Sequence, residues 1–98
     1  MSEIFFPSQY KKALLGKMKN NTIRIGNEIG KYKVGKTYLV KSYAGRYWNL
    51  KIKIIKIIPT ILGKLLEFNI PKRSIEAIQK KEKISLKEHI ELIQFEVL

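Results

Sequence analysis

Between Tyr47 and Ile58 the chain writes out one long strand whose two faces are chemically distinct. Leu50, Ile52 and Ile54 alternate with Lys51 and Lys53, which gives a dry side and a wet side at the two-residue period of a half-buried strand. The phase then slips, because Ile55 follows Ile54 directly and Lys56 falls where an apolar residue was due. A strand that carries such a slip needs a β-bulge, and a bulge bends it as closure of a sheet on itself requires. Whatever else the chain forms must wrap around this bent strand.

The remaining elements follow from local pattern. Glu3 to Phe6 reads as a short opening strand, and Pro7-Ser8 starts a helix in which Tyr10, Ala13 and Leu14 recur before Gly16 stops it. Asn20-Asn21 turns into a strand over 22–25, and Gly26 to Tyr32 is a polar loop. Thr37 to Tyr43 is rich in β-branched and aromatic residues, and Ala44-Gly45 turns it into the long strand. Pro59 is expected to end that strand. A helical turn over 62–66 and an extended link over 68–71 come next, then a helix over 74–81 with Ile75 and Ile78 on one side. Ser85-Leu86-Lys87-Glu88 fits a capping box opening a last short helix that holds His89. Alternation over 92–98 closes the chain as a strand. Strands at both ends with helices between them predict an α+β barrel, not a doubly wound sheet.

At 98 residues this is one domain, read as a single unit over 1–98, near the size at which one core suffices. Without cysteine there is no disulfide framework or thiolate metal site, and the lone His89 leaves no cluster for zinc; no metal or other cofactor is expected. No apolar run approaches the roughly 20 residues that cross a bilayer, and the first residues lack the pattern of a signal peptide. The expectation is a cytoplasmic protein, monomeric or weakly dimeric, with no membrane partner.

Charge narrows the partner. The net charge is +12, and residues 1–58 hold 13 Lys and Arg against only Glu3 and Glu28, a balance of +11. The remaining 40 residues are nearly neutral. One-sided basic surface suits a polyanion, because clustered cations release counterions from a phosphate backbone. The ratio of 17 Lys to 3 Arg favours diffuse phosphate contact over bidentate reading of bases.

Within that half, Gly16 to Arg24 gathers the most polar chemistry. On an extended segment Thr22 and Arg24 share a face, opposite Ile23, and the flexible stem of Lys19 reaches the same side. Around the Ala44-Gly45 turn, Tyr38, Tyr43, Tyr47 and Trp48 interleave with Lys41 and Arg46. Aromatic faces stack on unpaired bases while cations hold phosphate. Trp48 is expected to pack inward, with Tyr43 and Arg46 as the wet members.

The pattern Lys-x-x-Thr-x-Arg at Lys19, Thr22 and Arg24, after a Gly-ended helix, resembles the ASCH domain, a small β-barrel related to the RNA-binding PUA domain. The likeness continues at Val34-Gly35, where that family has a Gly-Asp turn, and at Ala77 to Leu86, which looks like its Ala-x-x-x-Glu-Gly segment before a Ser-capped helix. The resemblance implies a PUA-like barrel of about five to six strands with two to three short helices. It also implies an RNA segment or modified nucleoside as ligand; the contacts expected for it are Arg24 and Lys17 beside the motif, with Lys41, Tyr43 and Arg46 of the hairpin.

Members resembling this chain hydrolyse the acetyl amide of N4-acetylcytidine with a Lys, a Thr and a Glu, types that stand here as Lys19, Thr22 and Glu82. Amide hydrolysis needs a nucleophile, a base and an acid for the leaving amine. On that analogy Thr22 attacks or positions a water, and Lys19 takes a proton if burial and Arg24 lower its pKa. Glu82 orients Lys19 or protonates the amine, and Arg24 stabilises the oxyanion. A third reading is an RNA-cleaving member, in which Lys19 and Arg24 stabilise a phosphorane while Thr22 or Glu82 assists proton transfer. Two departures stand out. Lys19 lies one residue further from Gly16 than in the family, and the acid after the turn glycine is Lys36.

Overall fold

A computed structural model describes residues 2–98. Its strands are β1 (Glu3–Phe6), β2 (Asn21–Ile25), β3 (Thr37–Ser42), β4 (Tyr47–Ile61) and β5 (His89–Val97); its α-helices are α1 (Lys11–Leu15) and α2 (Lys72–Glu82). Short 3-10 segments at Ser8–Tyr10, Gly26–Glu28 and Leu62–Phe68 join them. The five strands form one mixed sheet in the order β1-β3-β4-β5-β2, with β1 and β3 parallel and every other pair antiparallel. The architecture is α+β. Strands β1 and β2 are the two edges, so backbone hydrogen bonds do not close the sheet into a barrel.

The long strand bends where its sequence slips. β4 pairs with β3 from Tyr47 to Lys53 and with β5 from Ile52 to Ile61, and the β5 register shifts between Ile54 and Lys56. Ile55, the extra residue, is 48 % exposed while Ile52 and Ile54 are fully buried. The bulge thus absorbs the slip and keeps the dry face dry. Pro59 does not end the strand as expected: it pairs with Glu91, and β4 runs on to Ile61. Beyond Lys53, β3 no longer flanks β4, so a residue without an N–H sits there with its bare side unpaired.

The sheet buries residues on both faces. One core gathers Phe6, Leu14, Tyr38, Trp48, Ile54 and Phe95; the other sets Leu62, Leu65 and Ile75 against Ile90 and Leu92 of β5. Consecutive β5 residues Leu92 and Ile93 therefore serve opposite cores. Trp48 packs inward as its alternation predicts. Each fully buried Ile or Leu contributes about 1.5–3 kcal/mol over an exposed one.

Two local readings change. Ser85–Glu88 opens no helix: the Ser85 hydroxyl accepts from Lys87 N–H at 3.1 Å and Glu88 N–H donates to Ser85 O at 3.1 Å, which makes a turn. His89 then begins β5, because Ile90 and Leu92 gain partners on both β2 and β4. At the end of α1 the left-handed residue is Lys17 (φ 57°), one beyond Gly16 (φ −82°). No helix is long and apolar enough to cross a membrane among the described residues.

Candidate functional site

Where the two edge strands approach, a side chain bridges them. Arg24, only 6 % exposed on β2, donates from one terminal nitrogen to Phe5 O of β1 at 3.0 Å and from the other to Glu28 Oε1 at 3.1 Å. Its guanidinium lies 4.9 Å from the Phe6 ring centre and 5.5 Å from that of Tyr32. Tyr32 O–H donates to Glu28 Oε1 at 2.8 Å, and Lys31 Nζ to Glu28 Oε2 at 2.9 Å. Arg24 Nε is buried with no hydrogen-bond partner among the described residues, an omission that costs about 1–3 kcal/mol unless neighbouring interactions offset it. Thr22 and Arg24 share a face opposite Ile23, as the alternation predicts, but Arg24 is buried with its terminal nitrogens committed. Both faces of β2 are covered, with Thr22 and Arg24 on the inner side and Ile23 packed beside the second core.

Beside this seam lies a cleft of about 740 Å3. β2 supplies Thr22 and Arg24, the turn before it supplies Lys19, the β3–β4 hairpin supplies Tyr43, and α2 supplies Ser74, Ala77, Lys81 and Glu82. Residues 19 and 82, distant in sequence, thus share one cavity. Lys19 Nζ sits 4.6 Å from the centre of the Tyr10 ring and forms no ion pair among the described residues. Burial, and then the charge of Arg24, push its pKa below the ordinary lysine value. Neither the Thr22 hydroxyl nor the Glu82 carboxylate makes a hydrogen bond or ion pair within the described residues, so Glu82 faces the lysine's cleft without touching it.

Three proposed ligand contacts lie elsewhere. Lys41 is ion-paired with Glu3 across the β1–β3 pair, which occupies its charge. Lys17, after α1, and Arg46, in the hairpin, are both exposed, and neither lines the cleft. Tyr43 does line it, and is 69 % exposed, as its place in the alternation predicts.

The residues missed from sequence are Glu28 and Tyr32. Burial raises the Glu28 carboxyl pKa, but hydrogen bonds from Lys31 and Tyr32 and the charges of Lys31 and Arg24 outweigh that and hold it below the usual carboxylate range. Burial, reinforced by the bond to Glu28, raises the Tyr32 phenol above its ordinary value. A signal was present: Glu28 is the only acid besides Glu3 in the basic half, four residues after Arg24. No protein-family model, curated protein or solved structure matches the chain.

Proposed function

We propose that this chain is a PUA-like protein of the ASCH type that takes an RNA segment or a nucleoside into the seam cleft. The observation that carries the reading is the meeting of Lys19, Thr22, Tyr43 and Glu82 in one cavity. Its volume falls within the range that encloses small ligands. Tyr43 offers a face for an unpaired base, Lys19 an uncompensated ammonium, and the basic half a field that draws in phosphate. The barrel reading leans on the Arg24 bridge, which draws β1 towards β2 although no backbone bond joins them.

A second reading, hydrolysis of the acetyl amide of N4-acetylcytidine, is favoured by the depressed pKa of Lys19. A lysine that loses its proton more readily can accept one from the Thr22 hydroxyl or from a water beside it. The proton taken up by Lys19 is then the one handed to the departing amine, and Glu82, which lines the same cleft, is the group left to orient that ammonium. Arg24, its terminal nitrogens committed to Phe5 O and Glu28, acts in this scheme through its charge on Lys19 and not as an oxyanion donor.

The test is direct. The pure protein is incubated with N4-acetylcytidine, and separately titrated with short single-stranded RNA at several salt concentrations. Salt-sensitive binding without release of cytidine and acetate supports the binding module. Turnover lost in Lys19→Ala with RNA affinity retained supports the hydrolase. Metal-independent cutting of the RNA favours the ribonuclease reading instead, and neither binding nor turnover ends the proposal.

A further inference from the structure

Strand β2 meets a neighbour on one edge only, and the parity of its ladder says which backbone groups are left over. Phe95 N–H donates to Asn20 O at 2.9 Å, in register with the pairs from Asn21↔Gln94 to Ile25↔Ile90. Hydrogen-bonded and non-hydrogen-bonded pairs alternate along an antiparallel ladder. Thr22 and Arg24 therefore turn their N–H and C=O to β5, while Asn21, Ile23 and Ile25 turn theirs away, on the edge that lines the cleft. No backbone or side-chain group among the described residues takes up the main-chain groups of Asn21 and Ile23. Free edge groups usually face water or are covered; these face a cavity.

We propose that the main chain of Ile23 reads the ligand: an unpaired nucleobase lies in the cleft with its hydrogen-bonding edge against the Ile23 N–H and C=O. The inference rests on the nucleoside or RNA reading of the cleft and adds how the base is held. One strand residue offers a donor and an acceptor side by side on the same edge. The edge of a splayed-out base offers the complement, such as the amino donor and ring-nitrogen acceptor of cytosine. Tyr43 and Tyr10 border the same cavity and supply aromatic faces, while Lys19 stands ready for an anionic or carbonyl oxygen.

The free edge is bounded by the turn that follows α1 and by the Gly26–Glu28 segment, so it offers three outward residues, Asn21, Ile23 and Ile25. An added peptide strand could pair with all three, whereas a planar base needs only one. The Tyr10 and Tyr43 rings that border the same cavity favour the base.

The experiment uses the full chain, 15N-labelled, with cytidine and a short single-stranded oligocytidylate as probes. The Ile23 amide proton is expected to move downfield on binding and to become protected from exchange. Chemical synthesis of the 98-residue chain with an ester in place of the Ile23 amide removes one donor and no side chain. That change is expected to weaken binding roughly three- to tenfold, with the melting curve confirming the fold. Binding that shifts Lys19 and Tyr43 but leaves the Ile23 amide and the ester's affinity unchanged overturns main-chain readout while sparing the cleft. Absence of any shift in the cleft with either probe removes the nucleoside reading and this inference together. Capture of an extended peptide by the same amides, with no response to cytidine, overturns the base assignment. The wild-type amide shifts decide the matter even if the ester chain fails to fold.

Discussion

The centre of the sheet and its seam are built on opposite principles. At the centre, β4 and β5 pair from Ile52↔Val97 to Ile61↔His89 and bury Ile54, Ile93, Ile90 and Leu92 on their two faces. At the seam, β1 and β2 share no backbone hydrogen bond, and an arginine with an unpaired nitrogen spans the gap. The centre is apolar and paired; the seam is charged, aromatic and left open along a strand edge. The difference teaches where this fold keeps its stability and where it leaves polar groups unsatisfied, which a well-paired core does not allow.

The largest effect expected from that contrast lies at the centre. Ile54→Ala empties a fully buried site and should cost about 2–5 kcal/mol in urea unfolding, with the cleft's ligand preference unchanged in the folded fraction. Arg24→Met should cost less, about 1–3 kcal/mol, because it removes the buried unpaired nitrogen along with the bonds to Phe5 O and Glu28. It should also raise the Lys19 pKa, which 13Cε shifts across a pH titration would report. A loss equal to that of Ile54→Ala would mean the seam carries as much of the fold as the centre.

Acid sharpens the comparison further. Glu28 has a lower pKa folded than unfolded, so its contribution is present above the ordinary carboxylate pKa and is lost as pH falls through the folded value. Glu28→Gln should therefore flatten the acid limb of the stability profile below about pH 4, measured by thermal melts. An unchanged limb would show that the carboxylate gains nothing from its partners. The smallest effect belongs to Pro59→Ala, expected within about 0.5 kcal/mol because the bare side of that residue faces no partner strand.

Much of the centre was legible in the sequence, and the seam much less so. The slip at Ile54-Ile55 marked the bulge because period-two patterning leaves no other way to keep one face dry. Away from the centre, Glu3 to Phe6 and the Ile75/Ile78 face of α2 were legible too, the latter from helical spacing. Pro59 misled because a missing donor is disallowed only where a second strand needs it, and strand order is not written locally. Ser85–Glu88 misled because a hydroxyl followed three residues later by a carboxylate serves a turn as well as a cap. Arg24 was read as a ligand contact because the alternation of β2 could not show that Phe5 O and Glu28 would take its terminal nitrogens. That Lys19 and Glu82 would line one cavity was an expectation drawn from resemblance, and local patterning alone gave no reason for it.

The account stands on Lys19 serving the cleft and not the fold. Its pKa falls on burial, so the folded state holds its proton less tightly than the unfolded chain, and at neutral pH the charged lysine opposes folding. The most direct measurement takes one variant, Lys19→Met, and reads both melting temperature and affinity for short single-stranded RNA at moderate salt. A melting temperature at or above that of the parent, with affinity at least tenfold weaker, is the predicted result. An unchanged affinity, or a protein that melts far lower, would contradict it.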